Sequence, residues 1–183
     1  MISFHSGIQA LRNFKVRDLN EKINSTFPHI KLLSSEYIHF IETGSKLNNK
    51  SQLILEKLLS YSPQSNTSNS LQKIIIIPRI GTISPWSSKA TDICQLCSLH
   101  EIKRIERGII YHFSQKIKSE ELEDILNFIM DRMTESHLKN IDDSSLIFDK
   151  LKPNSYKSID ILKDGKSAII SANVELGLAL SDG

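Results

Sequence analysis

Tyr37-Ile38-His39-Phe40 and Ile110-Tyr111-His112-Phe113 are the two stretches that decide the fold. Each belongs to a long run rich in β-branched and aromatic residues, 30–43 and 103–114, the second interrupted by Gly108. Such side chains suit a pleated, half-buried surface, so both runs are predicted as long strands. A polar turn follows each, then an amphipathic helix. The first helix, 51–61, carries Leu53, Ile54, Leu55, Leu58 and Leu59; the second, 119–134, carries Leu122, Ile125, Leu126, Ile129 and Met133. Ser119 is expected to cap the second, with Glu120 and Glu121 favourably placed against the helix dipole.

The same order appears further out. Met1 to His5 alternates apolar and polar and reads as a short strand. Ile8, Leu11, Leu19 and Ile23 recur at helical spacing, giving a helix over 8–25 with Pro28 beyond its end. In the second half, Ile74 to Ile77 is a short apolar run stopped by Pro78, which suits a buried strand. A helix is predicted to begin at Ser84, a good N-cap, with Pro85 at the first helical position. The polar stretch Ser62 to Ser70 reads as a linker. The chain is thus read as an internal repeat of two strand–helix–strand–helix halves, about 1–61 and 71–135, with His39 and His112 at matching places. The fold class is α+β: a two-layer sandwich of duplicated β-α-β-α halves, helices on one face of a mostly antiparallel sheet. Beyond 135 the pattern changes. A short helix is expected at 142–150, a strand at 158–162 and an apolar helix at 166–180. Residues 1–150 are therefore expected to form one domain, and 151–183 the start of a second, helical one that is cut short.

Composition excludes several classes. Twenty-three basic and 21 acidic residues leave a formal net charge of +2, too little to argue for nucleic acid or an anionic membrane. The longest pure apolar run, Ile74 to Ile77, is far from the ~20 residues that span a bilayer. No basic, apolar leader is visible at Met1 to Ser6. Two cysteines are too few for a disulfide framework, and a cytoplasmic protein is expected.

The densest chemistry lies in Arg79 to Asp92. Thr82, Ser84, Ser87, Ser88 and Thr91 cluster there with Trp86, Lys89 and Asp92. A glycine followed by hydroxyls at a helix start can bind an anion, because free N–H groups and the dipole point outward. Arg79 and Lys89 would add charge-assisted contacts. The same residues also read as a capped helix start anchored by Trp86. The segment lacks the phosphate-loop spacing. In Arg104-Ile105-Glu106-Arg107, alternating charges read either as a solvated strand face with a weak ion pair or as an arginine, Arg107, directed into a cleft. Cys94, Cys97 and His100 have superficially metal-like spacing, but no second cysteine pair exists, so packing is expected. No Ser/His/Asp set, His-Glu-x-x-His or dinucleotide fingerprint occurs. The residues by themselves describe a binding or scaffolding module.

The phrase Pro78-Arg79-Ile80-Gly81-Thr82-Ile83-Ser84-Pro85-Trp86-Ser87-Ser88-Lys89-Ala90-Thr91-Asp92-Ile93 resembles the N-terminal region of the large phosphoribosylformylglycinamidine synthase of purine biosynthesis. Ile105-Glu106-Arg107-Gly108 is similar to the family's next strand. Glu36-Tyr37-Ile38-His39-Phe40, Asp131-Arg132-Met133-Thr134-Glu135 and Ala172 to Leu180 give weaker support. The resemblance implies an ATP-dependent ligase with glutamine amidotransferase activity. That enzyme makes the amidine from formylglycinamide ribonucleotide, glutamine and ATP with magnesium, and the cofactors belong to the whole enzyme, none to this region. It implies an N-terminal assembly domain like a dimer of the small subunit of split synthases, followed by a linker domain. Its partners would be the synthase and glutaminase domains of the same chain and the enzyme's small-molecule substrates. Arg79, Thr82, Ser84, Trp86, Ser87, Ser88, Lys89, Thr91, Asp92 and Arg107 become candidates for substrate-side or interdomain contacts. The family's Ser-Glu-His-Cys-containing motif and its glutaminase Cys-His-Glu triad do not occur in these residues, so no catalytic residue is carried over. Cys94 and Cys97 do not match the glutaminase nucleophile. A stand-alone module binding a small anion is the other expectation.

Overall fold

The two long runs do form strands, and they pair with each other. In a computed structural model that describes residues 1–59, 70–149, 155–156 and 158–181, β1 is Ile2–Gln9, β2 Leu32–Thr43, β3 Gln72–Pro78, β4 Ile102–Phe113 and β5 Glu135–Leu138. They form one sheet in the order β1-β2-β4-β3-β5, every neighbouring pair antiparallel. Between the strands lie α1 (Asn13–Thr26), α2 (Asn49–Leu59), α3 (Pro85–Leu96) and α4 (Ser119–Ile129). A 3-10 helix, Ile141–Phe148, follows β5. The predicted linker, Ser70 apart, lies outside the described residues.

Strand alternation sorts the side chains of β2 and β4 onto two faces. One face packs on the helices. There Leu32, Ile74, Ile76, Tyr111 and Phe113 meet Val16 and Ile23 of α1 and Ile125, Leu126 and Ile129 of α4. Alongside, Ile41, Ile102 and Ile105 meet Leu55 of α2 and Cys94 of α3. The opposite face holds Ile38, Phe40, Ile77 and Ile110 under Leu138 and Ile147, the latter from the 3-10 helix. Cover on both sides explains why β2 reads as a nearly continuous apolar run at Ile38, Phe40 and Ile41. The architecture is the expected α+β arrangement, helices on an antiparallel sheet, with a short second cover that the sequence did not announce.

The halves repeat closely in form. β2 and β4 are each 12 residues, and the following helices α2 and α4 are each 11. Matching the strands end to end sets Ile38 on Gly108, Tyr37 on Arg107 and His39 on Ile109. The expected equivalence of His39 and His112 therefore fails. They differ by an odd number of positions, which puts them on opposite faces of the sheet. In the register Ile38 lies directly opposite Gly108, so the axis relating the halves passes through that pair.

Other boundaries moved for local reasons. α1 begins at Asn13, not near residue 8, because β1 continues past a bulge to pair Gln9 with Glu36. Ile8, expected on the helix stripe, is exposed. α4 begins after Lys118, whose N–H donates to the Glu121 carboxylate at 3.0 Å, so Ser119 is its first residue and not its cap. It stops at Ile129, and Met133, expected in the core, is 79% exposed. Hydrogen bonds from the N–H groups of Met133 to the Asp131 carboxylate and of Glu135 to the Asp131 carbonyl fold the chain into a turn, releasing Glu135–Leu138 to add the edge strand β5.

The chain divides into two compact units, Met1–Lys150 and Leu151–Gly183. The second holds α5 (Ile161–Leu176), where a strand had been expected at 158–162. Asp160 caps it by accepting the Lys163 N–H. Its path breaks at Gly165 (φ 64°), and it ends at Gly177 (φ 62°), short of the predicted residue 180. Among the described residues no helix is long and apolar enough to cross a membrane.

Gly108 tests the central pairing. A Cβ there would come within 2.6 Å of the Ile76 carbonyl oxygen and 3.3 Å of Ile38 Cγ2. Gly108→Ala is expected to lower unfolding free energy by at least the ~1–3 kcal/mol of an overpacked core, read as a lower urea midpoint at unchanged slope. An unchanged midpoint would refute the close approach of β3 to β4.

Candidate functional site

β3 pairs with β4 only over residues 109–113. Beyond that point β4 has lost its neighbour, and the connection leading to α3 takes its place. Gly81 (φ 83°) lets this connection turn. It is then fastened to β4. Arg104 Nη2 donates to the Thr82 carbonyl at 2.7 Å, and the Ile105 N–H donates to Thr91 Oγ1 at 3.2 Å.

Glu106 is the centre of the fastening. Its side chain is fully buried and accepts hydrogen bonds from the Ser84 N–H (3.2 Å), the Ser84 hydroxyl (2.8 Å) and Arg104. Ser84 in turn accepts the Ser87 N–H at 3.0 Å, the predicted N-cap. The negative charge that a helix start favours is therefore supplied internally, by Glu106. The start of α3 is thus capped by Ser84, with a carboxylate of the same domain already beside it. The burial of Glu106 also corrects the reading of Arg104 and Glu106 as a solvated pair, since an ion pair this buried is worth far more to lose one partner of than a surface one.

Arg107 behaves differently. Its guanidinium lies over the Tyr37 ring (4.3 Å to the centroid) and the Trp86 ring (4.7 Å). His39 completes the group, its ring 5.6 Å from that of Trp86. Burial, with Arg107 and then His5 adding positive charge nearby, pulls the His39 imidazole down to about 4, so it is neutral at pH 7.

A groove of about 470 Å³ opens beside Arg107. It gathers four of the ten candidate residues, Arg79, Thr82, Ser84 and Arg107, with Tyr37, Ile76, Pro85 and Ile109 among its walls. Trp86 joins through its contact with Arg107. The other candidates are dispersed. Lys89 lines a separate apolar cleft of about 360 Å³ between α2 and α3. Ser87 is buried, Thr91 is committed to β4, and Ser88 and Asp92 point to solvent. Helical geometry explains the scatter, since consecutive residues of α3 face different directions. Cys94 is buried against the sheet, and burial raises its thiol to about 11, as fits a packing residue.

Sequence reasoning missed Tyr37 and His39 as neighbours of Arg107, and Glu106 as the helix-start anion. The signal available was strand parity: Tyr37 and His39 share a face, and in the observed register, with His39 opposite Arg107, that face meets the odd positions of β4. Residues 36–148 match the family described as formylglycinamide ribonucleotide amidotransferase N-terminal, a span that runs from within β2 to the end of the 3-10 helix.

Two outcomes test the site. Glu106→Ala is expected to cost about 3–5 kcal/mol, the scale for removing one partner of a buried pair, and to free the 79–84 connection, seen as faster amide exchange at Ser84 and Ser87. Retained protection there would refute the fastening. The His39 imidazole binds its proton less readily when folded, so the unfolded chain takes up more protons between pH 6.5 and about 4. Stability is full above pH 6.5 and falls by on the order of 3 kcal/mol as pH drops through that window. Urea unfolding of His39→Gln should show a shallower loss there; an identical slope would refute the assignment.

Proposed function

The chain belongs to the formylglycinamide ribonucleotide amidotransferase N-terminal family, and on that premise we propose that it is the assembly domain of the purine-biosynthetic synthase. Its task is to dock the synthase and glutaminase domains of the same polypeptide and help enclose the path by which ammonia passes between them. The chemistry, with ATP and magnesium, belongs to those partner domains, and the whole works in the cytoplasm. The carrying observation is the groove beside Arg107. It is a fastened, polar-and-apolar surface with a stacked arginine and no nucleophile paired to a base. The repeated strand–helix–strand–helix form supports the likeness to a dimer of the small subunit of split synthases. On this reading Arg79, Thr82, Ser84 and Arg107 make the contact, with Trp86 holding Arg107, while Lys89 serves a neighbouring contact on the α2–α3 cleft.

The reading that the chain is a free-standing anion module is weakened by Glu106, which already occupies the helix start on which that module would depend.

The test belongs in the full-length enzyme. Arg107→Ala is expected to lower glutamine-dependent turnover about tenfold more than ammonia-dependent turnover, the scale of one charge-assisted contact of roughly 1.5 kcal/mol. Lys89→Ala should give a smaller change in the same direction. If both variants leave both activities at the parent level, the docking role of this surface is wrong.

A further inference from the structure

β4 carries two arginines with opposite fates. Arg104 is neutralised by Glu106. Arg107 is half-buried, yet no carboxylate among the described residues lies within ion-pair distance of it. Its contacts are the Tyr37 and Trp86 rings, which attract a cation to their faces but offer no acceptor in the plane of the guanidinium. The in-plane N–H donors are the part of an arginine that forms paired hydrogen bonds to a planar oxyanion.

The groove beside it supplies the rest of a binding site. Arg79 adds a second cation, its Nη1 donating to the Met133 carbonyl at 3.3 Å. Glu135 is the acid of the lining, and its Oε2 accepts the Asp131 N–H at 2.9 Å. Two cations thus face one acid. Ile76, Pro85 and Ile109 give walls for a carbon skeleton. A volume of about 470 Å³ falls in the usual range for small-ligand sites, roughly 300–1,000 Å³. The wall formed by residues 79–84 is held in place by Glu106 and Arg104, so the site does not have to be ordered by its ligand.

We propose that this groove binds a small organic oxyanion, a carboxylate or a phosphate monoester, gripped by the edge of Arg107 with Arg79 assisting. The proposal rests on the reading of the groove as the domain's contact surface and gives that surface a ligand. The anion preference expected of the α3 helix start thereby moves to the stacked arginine beside it.

Trp86 is the sole tryptophan of the sequence and lies against Arg107, so its fluorescence reports on the site directly. The whole chain is titrated with methyl phosphate and, separately, with glutarate, against sodium chloride at matched ionic strength. A saturable change is expected with at least one of the two organic anions and not with chloride. The amide shifts of Thr82 and Gly108 give a second readout that survives loss of the stacking. By that readout Arg107→Ala should bind at least tenfold more weakly. Arg107→Lys, which keeps the charge without the planar fork, should also weaken binding, while Lys57→Ala on α2 should not. Response to methyl phosphate alone assigns a phosphate ligand, to glutarate alone a carboxylate, and to both the shared chemistry. Absence of saturation with either anion, or binding undiminished in Arg107→Ala, overturns the proposal. Loss of coupled turnover in full-length Arg107→Ala would then leave the docking role standing without a small ligand.

Discussion

The described elements of the first unit are arranged around the pairing of β2 with β4. Because side chains alternate along a strand, fixing Ile38 against Gly108 determines which residues face the helices and which face the 3-10 cover. A slip of β4 by one residue would carry Ile110 to the helix side, away from Phe40, and drive Arg107 into the opposite layer. The register is held by bulk on both faces and by the absence of it at one point. Gly108 leaves the space in which the β3 backbone crosses, with the Ile76 carbonyl where a side chain would stand. The helices then dock on a surface already determined.

That dependence explains what the sequence could and could not disclose. Long runs with a clear period, such as 30–43 and 103–114, were legible as strands, and α4 was legible from Leu122, Ile125, Leu126 and Ile129. Ser84 and Pro85 announced the start of α3 because capping is a local matter. Elements whose form depends on distant partners were not legible. Gln9 is strand because Glu36 lies beside it, and Glu135–Leu138 is strand because β3 offers an open edge. α5 starts at the Asp160 cap, in the middle of the stretch 158–162 read as a strand, since Ile159, Ile161 and Leu162 carry no period long enough to decide.

The site divides in the same manner. The segment 79–92 was recognisable as unusual, and three of its candidate residues, Arg79, Thr82 and Ser84, do share a groove with Arg107. What sequence could not reveal was the destination of each charge. Glu106 and Arg107 are adjacent and similarly polar in the sequence, yet the pleat sends them to opposite faces. One becomes a buried structural anion with three hydrogen-bond donors. The other becomes a cation stacked on aromatic rings at the rim of a groove. Adjacent letters thus acquire a supporting role and an outward-facing one by parity alone.

Arg107 and Tyr37 occupy equivalent places in the two halves, and they touch each other across the axis at 4.3 Å. Two identical subunits meeting at such an axis would be obliged to present the same residue from both sides: arginine against arginine, which repels, or tyrosine against tyrosine, which carries no charge. Glycine against isoleucine at the axis itself would be equally forbidden. Joining the halves in one polypeptide removes that obligation. Each side of the symmetry element is free to differ, so a cation can be given its aromatic support by its own counterpart. The asymmetry of the groove is therefore a property available to a fused pair and closed to a symmetric one.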